Sequence, residues 1–181
     1  MKSAFRLQPV NAEKAQYGRT ETKRAITNVL GAVLEKYKYT SLAELIAVLK
    51  QYNVLAERCG DDSRTFKTGG LVYCILDGEG KPVGVPIKAR NFYNKPTLKV
   101  LQSKCASNIA GRLPHKARVK NEIDRLFIGK ISNLEELIHL LAKKGIYVAL
   151  RGSETGMIYG ITYVDNQTKC VFNGSALGKR Y

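Results

Sequence analysis

The sequence is poor in the residues that build metal centres and disulfide frameworks. It has no tryptophan, only two histidines and four cysteines among 181 residues. The cysteines lie far apart, at Cys59, Cys74, Cys105 and Cys170. Zinc sites usually need closely spaced ligand pairs such as Cys-x-x-Cys, and none is present. We therefore expect reduced thiols, no metal and no cofactor.

Long apolar runs are also missing. No stretch approaches the roughly 20 apolar residues that span a bilayer. Residues 1–19 lack the apolar core of a signal peptide. The sequence therefore predicts a cytoplasmic protein without a membrane partner.

Acidic residues are scarce. The chain has 15 Asp and Glu against 30 Lys and Arg, a net charge of +15, while 44% apolar residues suffice for a packed core. Residues 81–130 hold twelve of the basic residues and only Glu122 and Asp124 of the acidic ones. Such an excess favours a polyanionic partner, most commonly nucleic acid, with an acidic membrane surface as the weaker alternative.

Periodicity predicts an α+β fold made of duplicated helix–three-strand units joined by a basic helical segment. Leu-x-Glu-Leu-Ile-x-x-Leu occurs at 42–49 and at 134–141, and Gly-(Leu/Met)-(Val/Ile)-Tyr-x-Ile occurs at 70–75 and at 156–161. Ser41 with Glu44 and Ser132 with Glu135 have the spacing of a capping box before each helix. Pro82 and Pro86 mark the third strand of the first unit as an edge or irregular strand.

The organisation that follows has four parts. We expect an arm or linker at 1–19, a helix plus the first unit at 20–95, a basic helical connector at 96–130 and the second unit at 131–181. The first helix is predicted from an apolar stripe that runs from Ile26 to Tyr37 at helical spacing.

Eight cations are the candidate DNA-binding residues because they concentrate in and before the connector. They are Lys88, Arg90, Lys95, Arg112, Lys116, Arg118, Lys120 and Arg125. They are expected to contact phosphates without reading bases. Tyr93 lies among them and is as well suited to stacking on a base as to packing. Tyr73 and Tyr159 are expected in the core or on a sheet face, and not stacked on bases, because each lies within a predicted strand.

A small-residue turn after the last strand is a candidate phosphate loop. Its residues are Asn173, Gly174, Ser175 and Lys179. Backbone amides in such a turn can hold a phosphate, although a purely structural turn is favoured. The sequence contains no catalytic arrangement of Ser, His and Asp or of Cys and His, so we expect no enzyme. A metal-dependent nuclease that uses Asp77 and Asp165 is the remaining enzymatic alternative.

Several blocks resemble relaxase/mobilisation proteins of Bacteroides-type mobile elements, in the region that follows their nuclease domain. The blocks are 16–23 (Gln-Tyr-Gly-Arg-Thr-Glu-Thr-Lys), 37–44, 84–89 (Gly-Val-Pro-Ile-Lys-Ala), 159–165 and 171–179. The resemblance implies a role in conjugative transfer of a plasmid or transposon. The family's nicking chemistry needs a histidine cluster and a tyrosine nucleophile. The His-hydrophobe-His motif is absent, so no catalytic residue is carried over, and we expect a truncated relaxase or a central fragment.

Two functions are therefore expected. The first is a non-catalytic accessory region that binds DNA of the transfer origin, either single- or double-stranded. The alternative is a protein-interaction module that the relaxosome or the coupling protein recognises, with no direct DNA role.

Overall fold

The fold is α+β, as predicted, with two three-stranded antiparallel sheets and helices packed against them. The computed structural model describes residues 13–19, 21–58, 70–129, 131–153 and 155–181. The predicted N-terminal arm lies partly outside these residues. In the described part, each sheet follows a helix directly, although a common origin of the two units stays a prediction.

The elements follow in chain order. The helices are α1 (Thr22–Lys36), α2 (Leu42–Lys50), α3 (Leu98–Arg112), α4 (Lys116–Ile128), α5 (Leu134–Lys143) and the short α6 (Gly174–Leu177). The strands are β1 (Val54–Arg58), β2 (Leu71–Leu76), β3 (Pro82–Lys88), β4 (Ile146–Gly152), β5 (Ile158–Asp165) and β6 (Cys170–Asn173). Single 3₁₀ turns lie at Ala89–Asn91 and Leu113–His115. None of the described helices has the length and apolarity of a bilayer span.

The two unit helices begin at side-chain caps. Ser41 Oγ accepts a hydrogen bond from Glu44 N at 3.2 Å, as the capping-box pattern predicts. The second cap lies one residue later than predicted, since Asn133 Oδ1 accepts from Glu136 N at 2.8 Å. Asparagine is as good an N-cap as serine, so Asn133 takes the position that Ser132 was expected to fill.

The strands of each sheet follow one another in sequence order, β1-β2-β3 and β4-β5-β6. β3 is an edge strand, which confirms the prediction from its prolines. Its pairing with β2 is irregular between Tyr73 and Ile75. At that irregularity Gly84 has φ +80°, and the ring of Tyr17 lies against it. A Cβ at Gly84 would fall 2.5 Å from Tyr17 Cε2, so this contact needs glycine.

The second sheet is covered on both faces, which joins the two units. Ala149, Val164 and Val171 belong to the core that contains α1, α2 and the first sheet. Alternating neighbours such as Val148 and Tyr163 belong to a second core with α4 and α5. Side-chain hydrogen bonds cross the junction: Tyr37 Oη donates to Asn166 Oδ1 (2.7 Å), and Asn166 Nδ2 donates to Gln51 Oε1 (3.0 Å). The predicted units therefore share a core.

The two tyrosines expected in the sheets have different environments. Tyr73 is fully buried in the core, whereas Tyr159 lies on the sheet face of β5 and is 69% exposed. Phe92 covers Tyr73 with an edge-to-face ring contact at 5.5 Å between centroids. Tyr159 is the second residue of β5 and lies near the turn that closes the β4–β5 hairpin. After β6 the chain turns directly into α6.

Candidate nucleic-acid interface

The segment from the end of β3 to the start of α3 alternates buried anchors with exposed cations. Ala89 and Phe92 are 3% and 1% exposed, and Pro96 is also buried. The residues between these anchors point to solvent. The backbone of this segment is therefore anchored by the buried Ala89, Phe92 and Pro96, while its polar side chains face solvent.

The anchors are tied to β2 through Tyr73. Its hydroxyl donates a hydrogen bond to the carbonyl oxygen of Pro96 at 2.8 Å, and its ring packs on Phe92. Burial, and secondly the neighbouring Tyr39, raises the pKa of Tyr73 well above its usual range, so the phenol stays a donor at neutral pH. Lys95 N donates to Phe92 O at 3.1 Å and closes the turn.

We define the corner surface as Lys88, Arg90, Tyr93, Lys95 and Lys99. All five side chains are exposed, and Tyr93 is 97% exposed. Within the described residues, none of the four cations forms an ion pair. No Asp or Glu occurs from position 80 to 121 of the sequence. The corner surface is thus a set of exposed cations without ion-pair partners among the described residues, and the exposed Tyr93 lies between them in the sequence.

The Tyr73→Phe substitution is expected to lower the free energy of unfolding by about 1 to 3 kcal/mol, because it leaves the buried Pro96 carbonyl without a donor. Urea denaturation measures this loss. Tyr147→Phe is a suitable control, because no hydrogen bond is recorded for its hydroxyl within the described residues, although burial also raises its pKa. Equal stability of Y73F and the wild type would contradict the anchoring role.

Arg112, one of the predicted DNA-binding residues, makes intramolecular contacts that stabilise the fold. Its Nη1 donates to Glu44 Oε1 at 2.8 Å and to Val171 O at 2.6 Å. Its guanidinium also lies 5.1 Å from the centre of the Phe172 ring. The side chain is 14% exposed. Arg112 therefore joins α3 to α2 and β6, and we leave it out of the interface.

Arg118 is likewise engaged by the second unit. Its guanidinium donates to Gln167 Oε1 and to Lys144 O and lies 3.5 Å from the buried carboxylate of Asp165. Asp165 also accepts from Gln167 N and Thr168 Oγ1. Through these contacts Asp165 closes the β5–β6 turn, and little of the Arg118 guanidinium remains available to a ligand.

The other predicted cations of α4 are less available than the corner surface. Lys116 and Lys120 are half-buried, and Lys120 Nζ lies 5.3 Å from the centre of the Tyr181 ring. Arg125 is 71% exposed and lies 3.3 Å from Glu122 Oε1. The structure therefore divides the eight predicted residues: three lie on the corner surface, and five lie at the end of α3 and along α4.

The predicted phosphate loop forms a structural turn. Asn173 N donates to the buried Glu44 Oε1 at 3.2 Å, and Asn173 Oδ1 accepts from Thr162. A Cβ at Gly174 would lie 2.4 Å from Tyr181 O, so the C-terminal chain occupies the space in front of it. Ser175 and Lys179 are exposed.

Lys99 belongs to the corner surface but is not among the eight predicted DNA-binding residues. The signal that could have indicated it is its position in the stretch from 80 to 121, which contains no Asp or Glu. Among the described residues, no three His, Cys, Asp or Glu side chains are grouped as a metal site would need.

Compared with known proteins, the chain matches no family model, no curated protein and no solved structure.

Proposed function

We propose that the chain is a non-catalytic, DNA-binding accessory region of a conjugative relaxase, and that it grips DNA near the transfer origin through the corner surface. The observation that carries the binding role is a set of four exposed cations with no ion-pair partner among the described residues, on an anchored segment that also exposes Tyr93. The relaxase assignment rests on the sequence blocks that resemble that family. The proposed location is the cytoplasm.

Binding of a phosphate by the corner surface requires little conformational change in the protein. The backbone is held by Phe92 and Pro96, so only the side chains of the cations lose freedom on binding. Each Lys or Arg that neutralises a phosphate releases condensed counterions, which makes the affinity salt-dependent. Tyr93 supplies a ring face on which an unpaired base can stack.

Fluorescence anisotropy with labelled single- and double-stranded oligonucleotides tests this proposal. With four phosphate contacts, affinity for duplex DNA should fall about a hundredfold between roughly 50 and 200 mM salt. A preference for single strands together with a loss on Tyr93→Ala would assign the ring to base stacking. Absence of binding at the lower salt concentration would overturn the DNA-binding role.

The second candidate function is a protein-interaction module, and a different surface favours it. Tyr159 of β5 is 69% exposed, and Met157, which precedes the strand, is 70% exposed. Farther along the strand, Ile161 lines a groove of about 330 Å³ together with Phe127 and Tyr163. Neutralising the corner surface would abolish DNA binding but leave binding of a relaxosome or coupling protein at this groove intact.

A further inference from the structure

The outer edge of β4 is an unprotected pairing edge. β4 has seven residues and pairs only with β5 among the described strands. Its middle, Val148 to Leu150, contains neither proline nor a charged residue. β4 pairs regularly with β5 from Ile146 to Arg151, and the register shifts only at Gly152. A regular, apolar edge of this kind is a template for another strand.

The other sheet edges are protected. β3 carries Pro82 and Pro86 and is irregular in its pairing. The outer edge of β6 is covered, because Lys38 N donates to Lys169 O and Val171 N donates to Lys38 O. β1 ends in charged Glu57 and Arg58. β4 has a charged residue and a register shift only at its end, at Arg151 and Gly152, and its stretch from Ile146 to Leu150 contains neither.

The hydrogen-bond ladder shows which groups of β4 point outward. Asn166 N donates to Gly145 O at 2.9 Å, next to the pair of Ile146 with Asp165. Hydrogen-bonded pairs alternate along an antiparallel ladder, so Tyr147 and Ala149 direct their backbone groups to β5. Val148 and Leu150 direct theirs to the open edge.

We propose that β4 pairs antiparallel with β4 of a second copy of this chain, with the two-fold axis beside Ala149. Val148 then exchanges backbone hydrogen bonds with Leu150 of the second copy, and the two sheets continue as one. This inference stands independently of the proposed DNA-binding function.

The side chains favour this register over its neighbours. With the axis at Ala149, Tyr147 lies opposite Arg151 of the second copy, and the cation meets an aromatic ring twice by symmetry. A shift of the axis to Val148 or Leu150 separates these two residues. In the single chain the guanidinium of Arg151 packs on Gly160 of β5, and its Nε is buried without a hydrogen-bond partner among the described residues. Contact with Tyr147 of the second copy therefore requires this side chain to turn toward the open edge.

Charge does not oppose the contact. Residues 131–181 contain six Lys and Arg and four Asp and Glu, a net charge of +2, whereas the whole chain carries +15. The strong positive charge therefore lies mainly in the rest of the chain.

Sedimentation velocity of the full chain without nucleic acid tests the proposal. We expect a reversible monomer–dimer equilibrium. Y147K places two like charges opposite each other and should raise the dimer dissociation constant at least about tenfold. The double variant Y147K/R151E places opposite charges there and should restore dimerisation. V85K, on the exposed β3, is the control and should leave the equilibrium unchanged.

Hydrogen exchange of the wild-type chain tests the edge without any substitution. The amides of Val148 and Leu150 should be protected at high protein concentration and exchange freely on dilution, whereas Tyr147 and Ala149 stay protected throughout. A chain that is monomeric at every concentration overturns the proposal. So does exchange at Val148 and Leu150 that is independent of concentration, or a double variant that fails to dimerise while folded.

Discussion

Replacing the four cations of the corner surface with glutamine is expected to weaken DNA binding about a hundredfold or more at roughly 50 mM salt. The variant is K88Q/R90Q/K95Q/K99Q. Each substitution removes one phosphate contact and its released counterions, so the salt dependence should also become nearly flat. Fluorescence anisotropy at several salt concentrations measures both quantities. Stability should change little, because these side chains are exposed and have no ion-pair partner among the described residues.

A control with the same change in net charge separates local contacts from the general charge of the chain. K23Q/R24Q/K143Q/K144Q also removes three lysines and one arginine, all of them exposed. This control should retain most of the affinity. Equal losses in the two variants would show that DNA responds to the total charge and not to the corner surface.

Replacing Glu44 with alanine is expected to lower the free energy of unfolding by about 3 to 5 kcal/mol, because it leaves a largely buried guanidinium without its carboxylate. Glu44 is 1% exposed and accepts four hydrogen bonds, from Thr40 N (2.6 Å), Thr40 Oγ1 (3.0 Å), Arg112 Nη1 (2.8 Å) and Asn173 N (3.2 Å). One carboxylate thus joins the start of α2 to the end of α3 and to β6.

Urea denaturation of E44A, E44Q and E79A measures this effect. E44Q should lower the free energy of unfolding by an intermediate amount. The glutamine amide keeps one acceptor oxygen, but its NH2 group, with two N–H donors, faces groups that are themselves donors. Glu79 forms an exposed ion pair with Lys81, with both side chains more than 70% exposed, so E79A should cost less than about 1 kcal/mol. A loss for E44A no larger than that for E79A would mean that the buried network does not hold the elements together.

The elements that sequence reasoning predicted best are those whose signals are local. The stripe from Ile26 to Tyr37 indicates α1, and Ser41 with Glu44 indicates the start of α2. Pro82 and Pro86 place β3 at an edge because proline has no amide hydrogen to donate. These signals depend on neighbours a few positions away, so the sequence contains all of their causes.

The environments of single residues were harder to predict because distant contacts decide them. Tyr73 and Tyr159 occupy matching places in similar hexapeptides, yet only Tyr73 is covered, by Phe92. Glu44 was recognised as a capping residue, but its bond to Arg112 joins positions 68 apart in the chain. No local pattern indicates such a contact.

By itself, the sequence determined the α+β class, the main helices and the excess of positive charge between 81 and 130, because these depend on composition and on short-range periodicity. The tertiary structure alone decided which of those charges are free. Arg90 and Arg112 have the same chemistry and lie in the same basic segment. Arg112 meets a buried carboxylate and the Val171 carbonyl, while Arg90 faces solvent beside two buried anchors. The difference arises because packing brings distant partners to one arginine and none to the other among the described residues.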